Sequence, residues 1–194
     1  TTNLDVSSFR NGDPIPQAKT KEGWKKADEN GEPAWCYYNN DPLNGEKYGK
    51  LYNWYAVSDP RGLAPEGWHI PSSDEVYDLI KNLGNKEDSV GAKLKSTEGW
   101  NQYENLNEND EPTGTFRIGN GNNESGFQAL PGGMRQRGIN QSIFMQIGTD
   151  GMWWTATEFV VPDATYFCLR NSTDSITLFD LNFGVGLSVR CMQD

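Results

Sequence analysis

Apolar residues recur along this chain in two rhythms, and the change from one to the other divides it. Val76, Leu79, Ile80 and Leu83 fall at i, i+3, i+4 and i+7, which draws one stripe along a helix. Ser72 stands three residues before Glu75, the capping-box spacing, and Gly84 supplies a stop. The pattern predicts a helix over 73–83. Leu51, Trp54 and Tyr55 repeat a shorter helical face within 48–57, closed by Asp59-Pro60 and Gly62. Residues 21–29 predict a short amphipathic helix ending near Asn30-Gly31. Alternation around Leu4 and Val6 predicts a strand over 3–8. Residues 34–38 are strand-like and aromatic, and 39–46 read as a polar loop.

From Gly91 to Asn123 the apolar anchors thin out to Leu94, Trp100 and Phe116 among Asn and Glu. This stretch predicts a long excursion with little regular structure, the kind of loop that carries function. Beyond Gly126 the rhythm becomes that of β structure. Short strands are expected at 144–147, 152–155, 164–169, 175–181 and 187–191, separated by turns. A strand, two helices, long loops and then an antiparallel sheet make an α+β chain. No repeat of fixed period occurs. The expectation is one domain over 1–194: an N-terminal strand and loops (1–46), a two-helix part (47–90), a long polar loop (91–125) and a sheet with a display face (126–194).

Composition narrows the function more than the fold. The chain has 194 residues, 35% hydrophobic, 23% charged and 12% aromatic, with seven Trp, so it has the means to build a packed core. Its 21 Gly favour many turns and short elements. A net charge of −10 argues against nucleic acid as a partner, since phosphate binding needs a basic surface. The nearest basic pair, Lys25-Lys26, is flanked by Glu22, Asp28 and Glu29. No apolar run approaches the roughly 20 residues of a membrane span. The chain begins at Thr1 and is read as a trimmed form, so the lack of a leader says nothing about export.

Candidate chemistry is sparse. Cys36, Cys168 and Cys191 make an odd count with no CxxC, which rules out a zinc knuckle or a thioredoxin-like motif. His69 is the one histidine, so a His-rich metal site is ruled out. Between Trp68 and Ile70-Pro71 it reads as structural rather than as the base of a hydrolase. Asn39-Asn40-Asp41 and the stretch from Asn107 to Glu111 are oxygen-rich. They are candidate calcium ligands, but they lack the spacing of a calcium loop, and ordinary polar loops are expected.

A series of Gly/Trp/aromatic phrases carries a family resemblance. They include Tyr48-Gly49-Lys50-Leu51-Tyr52-Asn53-Trp54-Tyr55-Ala56-Val57, Gly62-Leu63-Ala64-Pro65-Glu66-Gly67-Trp68-His69-Ile70-Pro71 and Ser125-Gly126-Phe127-Gln128-Ala129-Leu130-Pro131-Gly132-Gly133. Gly151-Met152-Trp153-Trp154-Thr155-Ala156-Thr157-Glu158 and Gly186-Leu187-Ser188-Val189-Arg190-Cys191 follow. In this order they resemble the Fibrobacter succinogenes major paralogous domain, a module of secreted and surface proteins of gut and rumen bacteria. The resemblance implies a C-type-lectin-like fold, related in shape to formylglycine-generating and sulfatase-modifying domains, with two helices on a twisted antiparallel sheet. It implies that Trp68, Phe127, Trp153, Trp154 and Val189 complete the core. It makes Cys36 and Cys191 scaffold, either buried thiols or a mutual pair, and leaves Cys168 as a departure. The Glu-Pro-Asn and Trp-Asn-Asp phrases of calcium-dependent lectins of similar fold do not occur.

Residues 159–183 are the idiosyncratic part and lack Lys, Glu, Gln, Met and Trp altogether. Proteins diversified by retroelements, which share the lectin-like fold, vary near the C-terminus and are barred from the same five types. Strand propensity also disfavours Lys, Glu and Gln, so ordinary drift gives the same pattern. The sheet face is expected to display Phe159, Thr165, Phe167, Arg170, Asn171, Thr177 and Phe179. The rim from Arg135 to Phe144 adds Gln136, Asn140 and Ser142. The function expected is non-catalytic binding of a protein or glycan by a secreted or cell-surface protein, with no cofactor, calcium being the one candidate. The alternatives are a sulfatase-modifying type of enzyme and a structural pilus or adhesin tip subunit.

Overall fold

The computed structural model describes residues 2–84, 87–137 and 144–194. Helix α1 (Lys21–Asn30) starts where Thr20 Oγ1 accepts the Gly23 N–H at 3.0 Å, and stops at Gly31, whose φ of 66° suits glycine. Its inner face buries Trp24 and Ala27. Strand β1 (Trp35–Cys36) pairs antiparallel with β2 (Leu51–Tyr52). Between them lies α2 (Pro42–Tyr48), with Asp41 accepting the Leu43 N–H and Pro42 opening the first turn. Helix α3 (Trp54–Val57) follows at once, capped by Asn53. Then come β3 (Trp68–His69), α4 (Ser73–Leu83) and α5 (Glu87–Leu94).

The second half is β-rich. Strands β4 (Gln102–Leu106) and β5 (Pro112–Ile118) form a separate ribbon, and β6 (Met134–Arg135) pairs with β7 (Phe144–Met145). Strands β8 (Asp150–Val160), β9 (Asp163–Arg170) and β10 (Ile176–Asn182) make an antiparallel sheet in the order β10-β9-β8. Strand β11 (Met192–Gln193) returns to pair with β3. The architecture is mixed α+β, with five α-helices and several small antiparallel sheets among the described residues. Among these residues no helix is long and apolar enough to cross a membrane.

The β8–β10 sheet is the middle layer, buried on both sides over its inner half. Cross-strand partners share a face. On one face Trp153, Phe167, Leu169 and Ile176 pack with Val76 and Ile80 of α4, Val90 and Leu94 of α5, and Trp100. On the other, Met152, Trp154, Ala164 and Cys168 meet Trp35, Tyr52, Trp54, Leu187 and Val189. A third cluster joins Trp24 and Ala27 to Cys36, Tyr38 and Leu51. The indoles lie deep yet keep their N–H groups satisfied: Trp153 donates to Asn3 Oδ1 at 2.9 Å and Trp154 to the Tyr52 carbonyl at 3.0 Å.

Several expectations need correction. Residues 48–57 are not one helical face: Gly49 at φ 75° breaks the chain, and the backbone of Leu51–Tyr52 is taken up by β1. Residues 39–46 are largely helical, because Asp41 and Pro42 are strong start signals inside a polar composition. Residues 91–123 hold the end of α5 and the β4–β5 ribbon. Residues 3–8 form no ladder beyond a Ser8–Pro14 bridge; the Leu4 N–H goes instead to the Val189 carbonyl at 2.8 Å. Residues 187–191 make only isolated bridges, and the last strand lies just beyond them at β11.

Candidate functional site

The β8–β9 hairpin departs from a regular ladder where it leaves the core. Trp154 faces Tyr166 but Glu158 faces Ala164, so three residues of β8 stand against the single residue Thr165. The extra backbone is tied down locally. Thr155 Oγ1 donates to the Thr165 carbonyl at 2.7 Å. The Ser73 N–H donates to Thr157 Oγ1 at 2.9 Å, and the Ala156 N–H to the Pro71 carbonyl at 2.8 Å. These bonds fix the hairpin against the first turn of α4. Its tip leaves Phe159 61% exposed, Val160 63% and Val161 67%, and on α4 Tyr77 is 49% exposed. Large apolar groups left out of the core in one place mark an interaction surface.

Between α4 and the sheet these residues border a shallow cleft of about 210 Å³, lined by Ser73, Tyr77, Phe159, Thr165, Leu178, Phe179 and Asp180. Thr165 Oγ1 donates to Asp180 Oδ1 at 2.8 Å across β9 and β10. The cleft thus presents three aromatic rings and a strand edge beside one hydroxyl–carboxylate pair. Such a mixture suits contact by stacking and hydrogen bonds.

The expected display residues do not share one face. Phe167 is 2% exposed and stacks on Trp153 with ring centroids 5.2 Å apart, so it is core and not display. The cause is the two-residue period of a strand: Phe167 pairs with Leu178, whereas Phe179 pairs with Tyr166 on the opposite face. Phe159 and Thr165 border the cleft on the α4 side. Arg170, Thr177 and Phe179 go with Tyr166. The Arg170 guanidinium lies 5.7 Å from the Phe179 ring and 3.6 Å from Asp150, whose carboxyl is pushed up by burial against the pull of Arg170. Phe179, 40% exposed, reaches the cleft only from the outer edge of β10. Asn171 spends its amide on the carbonyls of Asn101 at 3.2 Å and Gln102 at 3.4 Å, and so anchors the β4–β5 ribbon.

The second rim fares differently. Gln136 is half-buried just beyond β6, away from the cleft, and Asn140 and Ser142 lie outside the described residues. Arg135 is 1% exposed, donating to the carbonyls of Ala18 at 2.8 Å and Thr20 at 2.9 Å. Tyr77, Asp180, Leu178 and Ser73 were not anticipated. The one available signal was Tyr77, an aromatic out of phase with the Val76, Leu79, Ile80, Leu83 stripe.

The remaining chemistry is held in structural roles. Burial raises the thiol of Cys36 to about 11, of Cys168 to about 12 and of Cys191 to about 11, and all three are free. Such thiols are poor nucleophiles at neutral pH. His69 Nδ1 is 2.7 Å from Asp194 Oδ1 and its Nε2 is 2.9 Å from Glu75 Oε1. The hydrogen bond to the Asp194 carboxylate raises its pKa most, burial opposes it, and the hydrogen bond to Glu75 adds to the rise. The oxygen-rich loop at Asn107 is engaged with its own backbone, Asn107 Oδ1 accepting from the N–H groups of Asn109 and Glu111, and Asp41 caps α2. Among the described residues no three His, Cys, Asp or Glu side chains gather as metal ligands.

The phrases that build this scaffold run the length of the chain, and so does the comparison with known families. The profile of the Fibrobacter succinogenes major domain matches residues 1–193. The chain belongs to that family. No curated protein and no solved structure matches it. The buried Trp153, Trp154, Leu187 and Val189 show what the repeated phrases do in this member of the Fibrobacter succinogenes major domain family: they supply the core. The exposed hairpin tip lies between them in sequence, where the idiosyncratic stretch begins.

Proposed function

We propose that this chain is a non-catalytic binding or adhesion module that engages a protein or glycan through the cleft between α4 and the β8–β9 hairpin. One observation carries the reading: Tyr77, Phe159 and Phe179 stand exposed around a single cleft, with the hydrogen-bonded Thr165 and Asp180 in its lining. Exposed aromatics held on a rigid frame have little conformational freedom to lose on binding, which is why they anchor interfaces. The frame is rigid because β8 is bonded to the start of α4 and to β9 beside it.

The scaffold is read as C-type-lectin-like, from the helices packed on a sheet and the family phrases. Its setting is read as a secreted or cell-surface protein, in keeping with the net charge of −10 and the family's character. Diversification within residues 159–183 by a retroelement would fall at the exposed positions of the hairpin tip and β10, and would have to spare the buried Ala164, Phe167, Cys168, Leu169 and Ile176. The raised thiols and the doubly bonded His69 favour binding over the chemistry of a sulfatase-modifying enzyme. A glycan array and a panel of surface proteins, probed with and without calcium, test the proposal. A ligand lost on combined Tyr77→Ala and Phe159→Ala substitution, in a protein of unchanged stability, supports it. A ligand held equally by that variant refutes the assignment to this cleft.

A further inference from the structure

A second cavity, of about 310 Å³, lies where α4 meets β3 and β11. Its wall is almost wholly apolar: Trp68, Val76, Leu79, Phe127 and Met192 face it, with Phe167 at its base. Met192 is 38% exposed and Gln193 beside it is open, so the cavity has a mouth. The three elements forming it are joined by His69, whose two nitrogens reach Glu75 of α4 and Asp194 just past β11. The cavity is therefore framed in place.

One charge lines this apolar space. Arg190 is 4% exposed. Its guanidinium donates to the Phe127 carbonyl and, at 2.9 Å, to Asn3 Oδ1, and it sits 4.2 Å from the Phe127 ring. Its Nε–H is buried without an acceptor. No carboxylate among the described residues pairs with it. Two of the other buried cations do have such partners, Lys50 with Asp5 at 2.7 Å and Lys95 with Asp174 at 3.0 Å, whereas Arg135 is bonded to backbone carbonyls. Burial without a counter-charge lowers Arg190 to about 10. A buried cation lacking its anion is costly, and an anion brought to it regains much of that cost. Arg135 also has a buried, open Nε–H but lines no cavity in the same way.

We propose that this cavity binds a small amphipathic acid, an aromatic or branched hydrocarbon body carrying one carboxylate directed at Arg190. At about 30 Å³ per water-sized group, the cavity accepts a body of about ten heavy atoms. The site is separate from the aromatic cleft and does not depend on what that cleft binds.

The test is calorimetric titration of the full chain with 3-phenylpropanoate and with its neutral isostere 3-phenylpropanamide. The acid is expected to bind at least about tenfold more tightly, the advantage a charge-assisted hydrogen bond confers. Arg190→Gln should erase the difference between the two compounds. Leu79→Trp, which adds bulk to the cavity wall, should abolish binding of both. Should Arg190→Gln not fold, the comparison of acid and amide in the parent chain and in Leu79→Trp decides alone. Equal binding of acid and amide overturns the proposal, as does an acid that fails to bind at about 10 mM, far weaker than any useful site. Acid binding left unchanged by Leu79→Trp overturns it too.

Discussion

Phe159 and Phe167 lie on adjacent strands of one hairpin and have opposite roles. Phe159 is 61% exposed, while Phe167 is 2% exposed and stacked on Trp153. Phe167→Ala should therefore cost about 3–5 kcal/mol in a urea melt, the usual range for emptying an aromatic core position. Phe159→Ala should stay within about 0.5 kcal/mol. This contrast was not legible in the sequence: β9 is buried on both faces, so Phe167, Cys168 and Leu169 form a continuous apolar run with no polar phase marker. Phe159, by contrast, lies past the bulge. His69 gives a second test at this scale. Its pKa is raised by Asp194 and Glu75, so its contribution is complete below the ordinary value near 6.5 and is lost as pH rises through the raised value. Glu75 is lowered, chiefly by the Ser72 N–H and then the Ser72 hydroxyl, with His69 adding to it. Its contribution is present above its ordinary value of 4.5 and lost as pH falls through the depressed one. His69→Ala should flatten the decline of stability above pH 6.5. Thermal melts across this range check it, and a parent chain whose stability does not fall there contradicts it. All three groups are partly exposed, so the effect is modest.

Helix α4 was readable down to its ends, because its stripe, cap and stop all agree. The observed reciprocal bonds of Ser72 and Glu75 follow from the spacing alone. The β4–β5 ribbon was not readable, because its side chains, the apolar Leu106, Phe116 and Ile118 included, are mostly exposed and leave no burial pattern to find. It is held by backbone pairing and by Asn171, which donates to both Asn101 and Gln102. A two-stranded ribbon alone is marginal in water. Asn171→Ala should therefore speed amide exchange across 102–118 while leaving the β8–β10 sheet protected. Uniform loss of protection over the whole chain would mean that Asn171 supports the core instead. The turn into β6 also depends on one residue. Gly133 has φ 64°, and a Cβ there would run into the Met145 carbonyl. Gly133→Ala should destabilise by more than the roughly 1 kcal/mol of an ordinary glycine position, measured by the same urea melts.

At the scale of the molecule, the central sheet divides labour along its length. Its inner half binds the helices on one side and the Trp- and Tyr-rich strands on the other, which is where the family phrases fall. Its outer half carries the exposed Phe159 and Phe179. The α+β class was legible because the two rhythms are segregated in the chain. The cleft was legible only in part. Phe159, Thr165 and Phe179 could be marked as unusual, but Tyr77 arrives from α4 through tertiary packing that no local pattern encodes. The most direct test is affinity for the best ligand of the glycan and surface-protein screen, compared between the parent chain and the Tyr77→Ala/Phe159→Ala variant. The account predicts a loss of at least about a hundredfold, as expected for two anchoring aromatics, with an unchanged melting curve. Equal affinity in the two proteins would contradict it.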